Sequence, residues 1–152
     1  MEWTASQLLE ACRAAERCGY DGFSIYDVPS RGALECWTSL TYCLASTERL
    51  AAVPLVLANP LRNPALVAKM AADLQTLSGG RFVLGVGAGG SDQDLQAYGV
   101  GQIPLQARLE RLEEALEIIR GLLSGKKQAR TTRWRGTGGG SSCRQARTPI
   151  SR

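Results

Sequence analysis

The sequence predicts a parallel α/β fold. Three observations carry it. Over residues 1–125, segments with helical periodicity alternate with short apolar runs. The runs are separated by helices of about a dozen residues, the length a parallel crossover connection needs. The stretch from Leu77 to Gly90 then joins a helix-ending turn, an apolar run and a glycine-rich exit.

Taken in order, Leu8, Leu9, Cys12 and Ala15 recur with helical spacing between Ser6 and Cys18, and Gly19 is placed to end that helix. Phe23-Ser24-Ile25-Tyr26 reads as a short strand ending at Asp27, and Pro29 and Gly32 mark a loop. Leu34 to Leu44 reads as a second helix and Leu50 to Leu57 as a second strand. Pro54 lies within that strand and demands an irregularity or an unpaired position in the ladder. Asn63-Pro64 is a capping residue followed by proline at the first helical position, which starts a helix running to about Leu77.

Ser78-Gly79-Gly80 supplies a positive-φ turn, and Phe82 to Val86 is the third strand. A last helix, from about Leu105 to Leu123, carries Leu105, Leu109, Leu112, Leu116, Ile119 and Leu123 on one side and is expected to cover a sheet. Three strands cannot close a barrel. Both edges of such a sheet are expected to be open.

Gly85, Gly87, Gly89 and Gly90 strip side chains from the carboxyl end of the third strand. Ligands sit at that end of parallel α/β sheets, so the cluster points to a cofactor site; plain turn geometry is the competing explanation. The cluster is no Walker loop, because no Gly-Lys-Ser/Thr follows, and it fits Gly-x-Gly-x-x-Gly poorly.

Composition narrows the function classes. The chain has no histidine, which removes the commonest general base and metal ligand and every Ser-His or Cys-His pair. Cys12, Cys18, Cys36, Cys43 and Cys143 match no zinc spacing, so no metal site is expected and the cysteines are read as reduced, Cys12 and Cys43 as small core residues. No apolar run approaches the roughly 20 residues of a spanning helix, and the first residues lack the regions of a signal peptide, so no membrane partner and a cytoplasmic location are expected.

The net charge of +4 hides an asymmetry. Residues 1–125 carry ten basic and fourteen acidic side chains, whereas residues 126–152 carry eight basic ones and none acidic. The second segment is read as a basic, Gly/Arg-rich disordered tail, of the composition that GC-rich DNA encodes out of frame. A nucleic-acid arm built on Trp134 is the weaker reading of that tail.

Five motifs in order resemble the luciferase-like monooxygenase superfamily over roughly residues 5–125. They are Ala15 to Gly22, Ala45 to Leu50, Asn59-Pro60-Leu61-Arg62-Asn63-Pro64-Ala65, Leu77 to Phe82, and Leu84 to Gly89. Arg108 to Leu116 also looks like the family's helix after its fourth strand.

The resemblance implies a (β/α)8 TIM barrel, of which this chain supplies approximately strands two to four. It also implies a flavin- or F420-dependent oxidoreductase acting on a small organic substrate, homo-oligomeric in its full-length form. The Asn59-Pro60 exit is similar to members that use coenzyme F420 and transfer a hydride to or from it; FMN is the alternative. A non-catalytic remnant, persisting by pairing with another chain, is the second class.

The resemblance also assigns residues. Asp27 matches the acidic residue at the end of the family's second strand and is the catalytic candidate, with loop capping as its structural alternative; Val28 stands where a histidine often follows. Val56, Leu57 and Asn59, with the backbone of Gly87, Ala88 and Gly89, are the implied coenzyme-binding residues. Asn59 would donate to a coenzyme carbonyl or else cap the turn after it. A non-prolyl cis peptide is implied at Val56-Leu57. Glu16 also matches a family residue and reads as structural on its helix, and Trp37 reads as a ring-pocket wall or a core tryptophan.

Overall fold

A computed structural model describes residues 3–28 and 34–125. The expectations for Pro29, Gly32, Cys143 and the 126–152 tail lie outside those residues.

Helix α1 (Ala5–Arg17) begins in a capping box, in which Thr4 accepts from the Gln7 N–H and Gln7 reaches back to the Thr4 N–H. Strand β1 (Gly22–Ile25) follows, then α2 (Cys36–Ser46), whose first amides at Trp37 and Thr38 donate to the Glu35 carboxylate. Next come β2 (Ala51–Pro54), β3 (Leu57–Ala58) and a 3-10 turn over Asn59–Leu61. Helix α3 (Pro64–Leu77) is capped by Asn63, which accepts from Ala65 and Leu66, as the Asn-Pro signal predicts. Strand β4 (Val86–Gly87), the short α4 (Asp92–Ala97) and α5 (Leu105–Leu123) complete the described chain.

All the strand pairing is parallel. β1 runs beside β2 in the register Gly22↔Ala51 to Ile25↔Pro54, and β3 beside β4 with Leu57↔Val86 and Ala58↔Gly87. A single bridge joins Ala52 to Phe82. The third expected strand therefore follows the second from Phe82 to Gly87 but pairs only at its ends.

The reason is the break in the second strand. Pro54 interrupts it as predicted, and a cis peptide joins Leu55 to Val56. That bond lies one residue before the expected Val56-Leu57 position. The Leu55 N–H donates to Ile25 of β1 at 3.0 Å, while the Leu57 N–H is already in the other ladder, donating to Gly85 at 2.9 Å. Only the Leu55-Val56 link lies between the two paired segments, so the irregularity falls there.

The core lies between the strands, α2, α3 and α5. Leu40, Leu44, Ala52, Leu57, Val67, Phe82 and Ile119 are buried in one cluster. Trp37 belongs to it, its ring tilted 58° against Phe82 with centroids 5.4 Å apart, so it is a core tryptophan. A smaller cluster of Cys12, Cys43 and Leu50 seals α1 to α2. Helix α5 spans the expected residues but buries only Ala115 and Ile119, leaving Leu105, Leu109 and Leu123 exposed. It packs on α3 and on the 3-10 turn over Asn59–Leu61.

Two side chains tie the amino ends of the strands. The Arg81 guanidinium donates to the carbonyls of Leu44, Leu50 and Ser78 and to the Thr47 hydroxyl. One Glu16 oxygen accepts the N–H groups of Glu48, Arg49 and Leu50, and these bonds, led by that of Arg49, hold its pKa below the usual glutamate value. Both residues thus have structural work at the end of the sheet away from the cavity.

Candidate functional site

The carboxyl ends of β1, β3 and β4 meet around a cavity of about 210 Å³, lined by Tyr26, Asp27, Val28, Leu55, Val56, Ala58, Ala88, Gly89 and Gly90. The chain order explains this convergence. Parallel strands all deliver their exits to one end of the sheet, so residues about thirty positions apart come together there.

Asp27 is the one carboxylate on this wall, and its side chain is 1% exposed. It is fully engaged. One oxygen accepts the Ala58 N–H at 2.8 Å and the Arg62 Nη1, and the other accepts the Arg62 Nη2 at 3.0 Å. Arg62 also reaches Glu35 at 2.6 Å, so a single guanidinium links the end of β1, the turn after β3 and the start of α2.

The charges set each other. Burial acts to raise the Glu35 pKa, but hydrogen bonds from Thr38, Trp37 and Arg62 overcome it and hold the carboxyl below its ordinary value. Burial acts to lower the Arg62 pKa, and the two carboxylates more than reverse that. The result is a fixed brace of one guanidinium between two carboxylates beside an apolar opening.

The assigned residues divide. Asp27, Val56, Ala88 and Gly89 line the cavity together. Leu57 does not, because alternation turns its side chain into the core, where it is fully buried. Asn59 is buried and its amide nitrogen donates to the Arg111 carbonyl of α5 at 3.3 Å, while its own carbonyl accepts the Arg62 N–H.

The glycines serve close packing within the chain. A Cβ on Gly85 would collide with the Pro54 carbonyl oxygen, and one on Gly87 would stand 2.5 Å from Val56 Cγ2. Gly89 combines a φ of +100° with Pro60 3.0 Å from where its Cβ would be. The bare strand thus makes room first for the broken strand beside it. Past Gly87 the backbone borders the cavity.

Several contributors were not foreseen, Ala58 among them. Tyr26 and Leu55 line the opening, Arg62 and Glu35 brace it. Arg62 lay inside a quoted motif, but nothing in a linear reading pairs it with an aspartate 35 residues earlier. Arg108 of α5 donates to the Gly90 carbonyl at 2.6 Å and lies 3.5 Å from Asp92, which anchors the glycine loop.

A larger cavity, about 430 Å³, runs along the open edge of β1 between Trp3, Leu8, Phe23, Ile25 and Leu34. Among the described residues no carboxylate or cationic side chain lines it; its polar groups include Ser24, Tyr26, Ser39 and the Cys12 thiol. Among the described residues no cluster of metal-ligating side chains occurs, and no helix is long and apolar enough to cross a membrane.

The chain is thus a parallel α/β segment whose strand exits carry an engaged carboxylate, an apolar wall and a glycine loop. The family model for luciferase-like monooxygenases matches residues 2–145, and the chain belongs to that family. It is 32% identical over 130 residues to 4-hydroxyprotoasukamycin monooxygenase of Streptomyces nodosus subsp. asukaensis, covering 83% of this chain and 34% of that protein.

Two solved structures share the fold. The oxygenating constituent of 3,6-diketocamphane monooxygenase from Pseudomonas putida, in complex with FMN, superposes with a TM-score of 0.70 at 21% identity over 78% of this chain and 33% of its own. The coenzyme F420 dependent tetrahydromethanopterin reductase of Methanopyrus kandleri superposes with a TM-score of 0.65 at 19% identity over 80% and 38%. The chain spans about a third of the length of these relatives. No closed barrel is present among the described residues, and the parallel strands match part of one.

Proposed function

We propose that the chain is the coenzyme-ring segment of a flavin-class monooxygenase acting on a small organic substrate. The observation that carries this reading is the 210 Å³ cavity, where Val56, Ala58 and Ala88 present an apolar wall and Gly89 and Gly90 present backbone. That composition suits the face of a flat heteroaromatic ring.

The size of the cavity limits what it takes. It is smaller than the roughly 300–1,000 Å³ of sites that enclose a whole ligand, so it fits a ring and not a complete coenzyme. Arg62 is committed to Asp27 and Glu35, whereas Arg108 is not among the residues lining the cavity; it gives Nη1 to Gly90 and keeps a buried Nε without a partner among the described residues. The ring therefore fits the residues present, while the coenzyme's tail calls for groups beyond this wall.

Bound FMN supplies the two-electron and oxygen chemistry. The chain's own part is positioning. Val56 and Leu55 shield one side of the opening from water, and the Arg108 bond to Gly90 fixes the loop edge. Asp27, locked by three donors, holds the β3 exit in register instead of moving a proton.

FMN is preferred because a relative 32% identical over 83% of this chain is named a monooxygenase. A second reading, hydride transfer with coenzyme F420, rests on the Asn59-Pro60 exit. Its weakness is that the Asn59 amide is turned toward Arg111. The reading that this is a remnant maintained by a partner chain predicts no coenzyme binding at all.

The test is a thermal melt of the purified full chain alone, with FMN and with F420. A ligand that binds only the folded state raises the midpoint, by about 2.7 kcal/mol of stability at a hundredfold excess over its Kd. A shift with FMN supports the proposal, and its loss in Val56→Asp locates the site. A shift with F420 alone replaces it by the second reading, and no shift with either overturns both.

A further inference from the structure

Away from the cavity, two cysteines meet across the α1–α2 seam. The Cys12 thiol donates to Cys43 Sγ with the sulfurs 3.1 Å apart, although the residues are 31 positions apart in the chain. Cys43 is fully buried, and Cys12 is 4% exposed and lines the 430 Å³ cavity along the β1 edge. Leu50, Leu8, Ala15 and Phe23 pack around the pair, so its described surroundings are apolar.

We propose that Cys12 and Cys43 form an oxidisable dithiol that a small hydroperoxide, entering by the β1-edge cavity, converts to a disulfide joining α1 to α2. A disulfide needs its sulfurs at about 2.05 Å, so an approach of about 1 Å closes the bond. The order of events follows from access. The Cys12 thiolate attacks an oxygen of the hydroperoxide, the O–O bond breaks, and the departing alkoxide takes up a proton and leaves as the alcohol. Cys12 is then a sulfenic acid. The Cys43 sulfur attacks Cys12 Sγ, the S–O bond breaks, and the hydroxide leaves with the Cys43 proton as water. Two thiols and one hydroperoxide thus give one disulfide, one alcohol and one water, with two electrons passing from sulfur to the peroxide.

Burial raises both thiols above their ordinary pKa, that of Cys43 to about 12. The reaction is therefore slow near neutrality and quickens as the pH rises. Exposed Cys18, on the last turn side of α1, is the internal competitor.

The experiment treats the reduced full chain with tert-butyl hydroperoxide at mildly alkaline pH, in buffer and in concentrated urea. After quenching, denaturation and alkylation, tryptic mapping with fragmentation distinguishes Cys43 from Cys36 in their shared peptide. The Cys12–Cys43 cross-link is expected to be about tenfold more abundant in buffer than in urea, because only the folded chain aligns the sulfurs, and to vanish on reduction. In Cys43→Ser, a sulfenic acid trapped by dimedone is expected at Cys12. Equal cross-link distributions in buffer and urea, or Cys12 left alkylable while Cys18 is consumed, overturn the proposal.

Discussion

Two arginines brace opposite ends of the same strands, and they do so with different chemistry. At the amino end, Arg81 is held by the carbonyls of Leu44, Leu50 and Ser78 and by the Thr47 hydroxyl, none of which titrates. At the carboxyl end, Arg62 is held by two carboxylates, Asp27 and Glu35, beside the cavity. A guanidinium satisfied by backbone is a rivet. One satisfied by carboxylates is an ionic brace whose strength depends on pH and whose loss exposes the site.

The largest effect is expected from Asp27→Ala, which leaves Arg62 largely buried with one partner and the Ala58 N–H without its acceptor. Urea unfolding should show a loss of about 4 kcal/mol, as for breaking a buried ion pair. A loss below about 1 kcal/mol would make the pair equivalent to a surface salt bridge and remove the contrast. Arg81→Ala comes next, at about 3 kcal/mol, because it strands several carbonyls that share one cation. Arg81→Lys should recover little in the same assay, since an ammonium lacks the planar fork that spans four acceptors.

Gly87→Ala should cost about 2 kcal/mol by pressing a Cβ onto Val56, the usual scale for overpacking. Combining it with Val56→Ala should restore most of that loss, and a purely additive double mutant would mean the two do not touch.

The smallest effect separates the two ends by pH. The Glu35 pKa is lower folded than unfolded, so its contribution is fully present above the ordinary glutamate value of 4.5 and fades as the pH falls through the folded value. Amide exchange at Trp37 and Thr38, which donate to Glu35, should therefore accelerate below about pH 4.5 relative to its intrinsic rate. Exchange at Ala52 and Val83, near Arg81, should hold over the same range; these amides sit in the Ala52 to Phe82 bridge. Glu35→Gln should abolish the difference.

The legible elements are the ones whose signals are local. Asn63-Pro64 starts α3 with a side-chain cap and a fixed φ, and the leucine spacing of residues 105–123 sets α5, so both helices fall where the periodicity puts them. Pro54 announced a break in its strand for the same reason. Helix α4 escaped notice because six residues hold less than two turns and show no apolar period. The displacement of the cis bond to Leu55-Val56 escaped too, since it depends on two different neighbours claiming Leu55 and Leu57.

The site was half visible. Asp27 at a strand exit and the glycines before Ser91 could be read directly, because chain ends of parallel strands share one side of a sheet. Leu57 and Asn59 were placed by position in a motif, and the fold turned the first into the core and the second onto α5.

Local signals in the sequence thus determined the α/β order and the boundaries of α3 and α5, and the resemblance of its motifs pointed to the family. Only the tertiary structure decided which arginine meets which carboxylate, which glycines are filled by a neighbour, and that two cysteines 31 residues apart come within 3.1 Å. The physical reason is range. Caps, turns and periodicity act over about one helical turn, whereas ion pairs and close packing join residues that meet only when the whole sheet has formed.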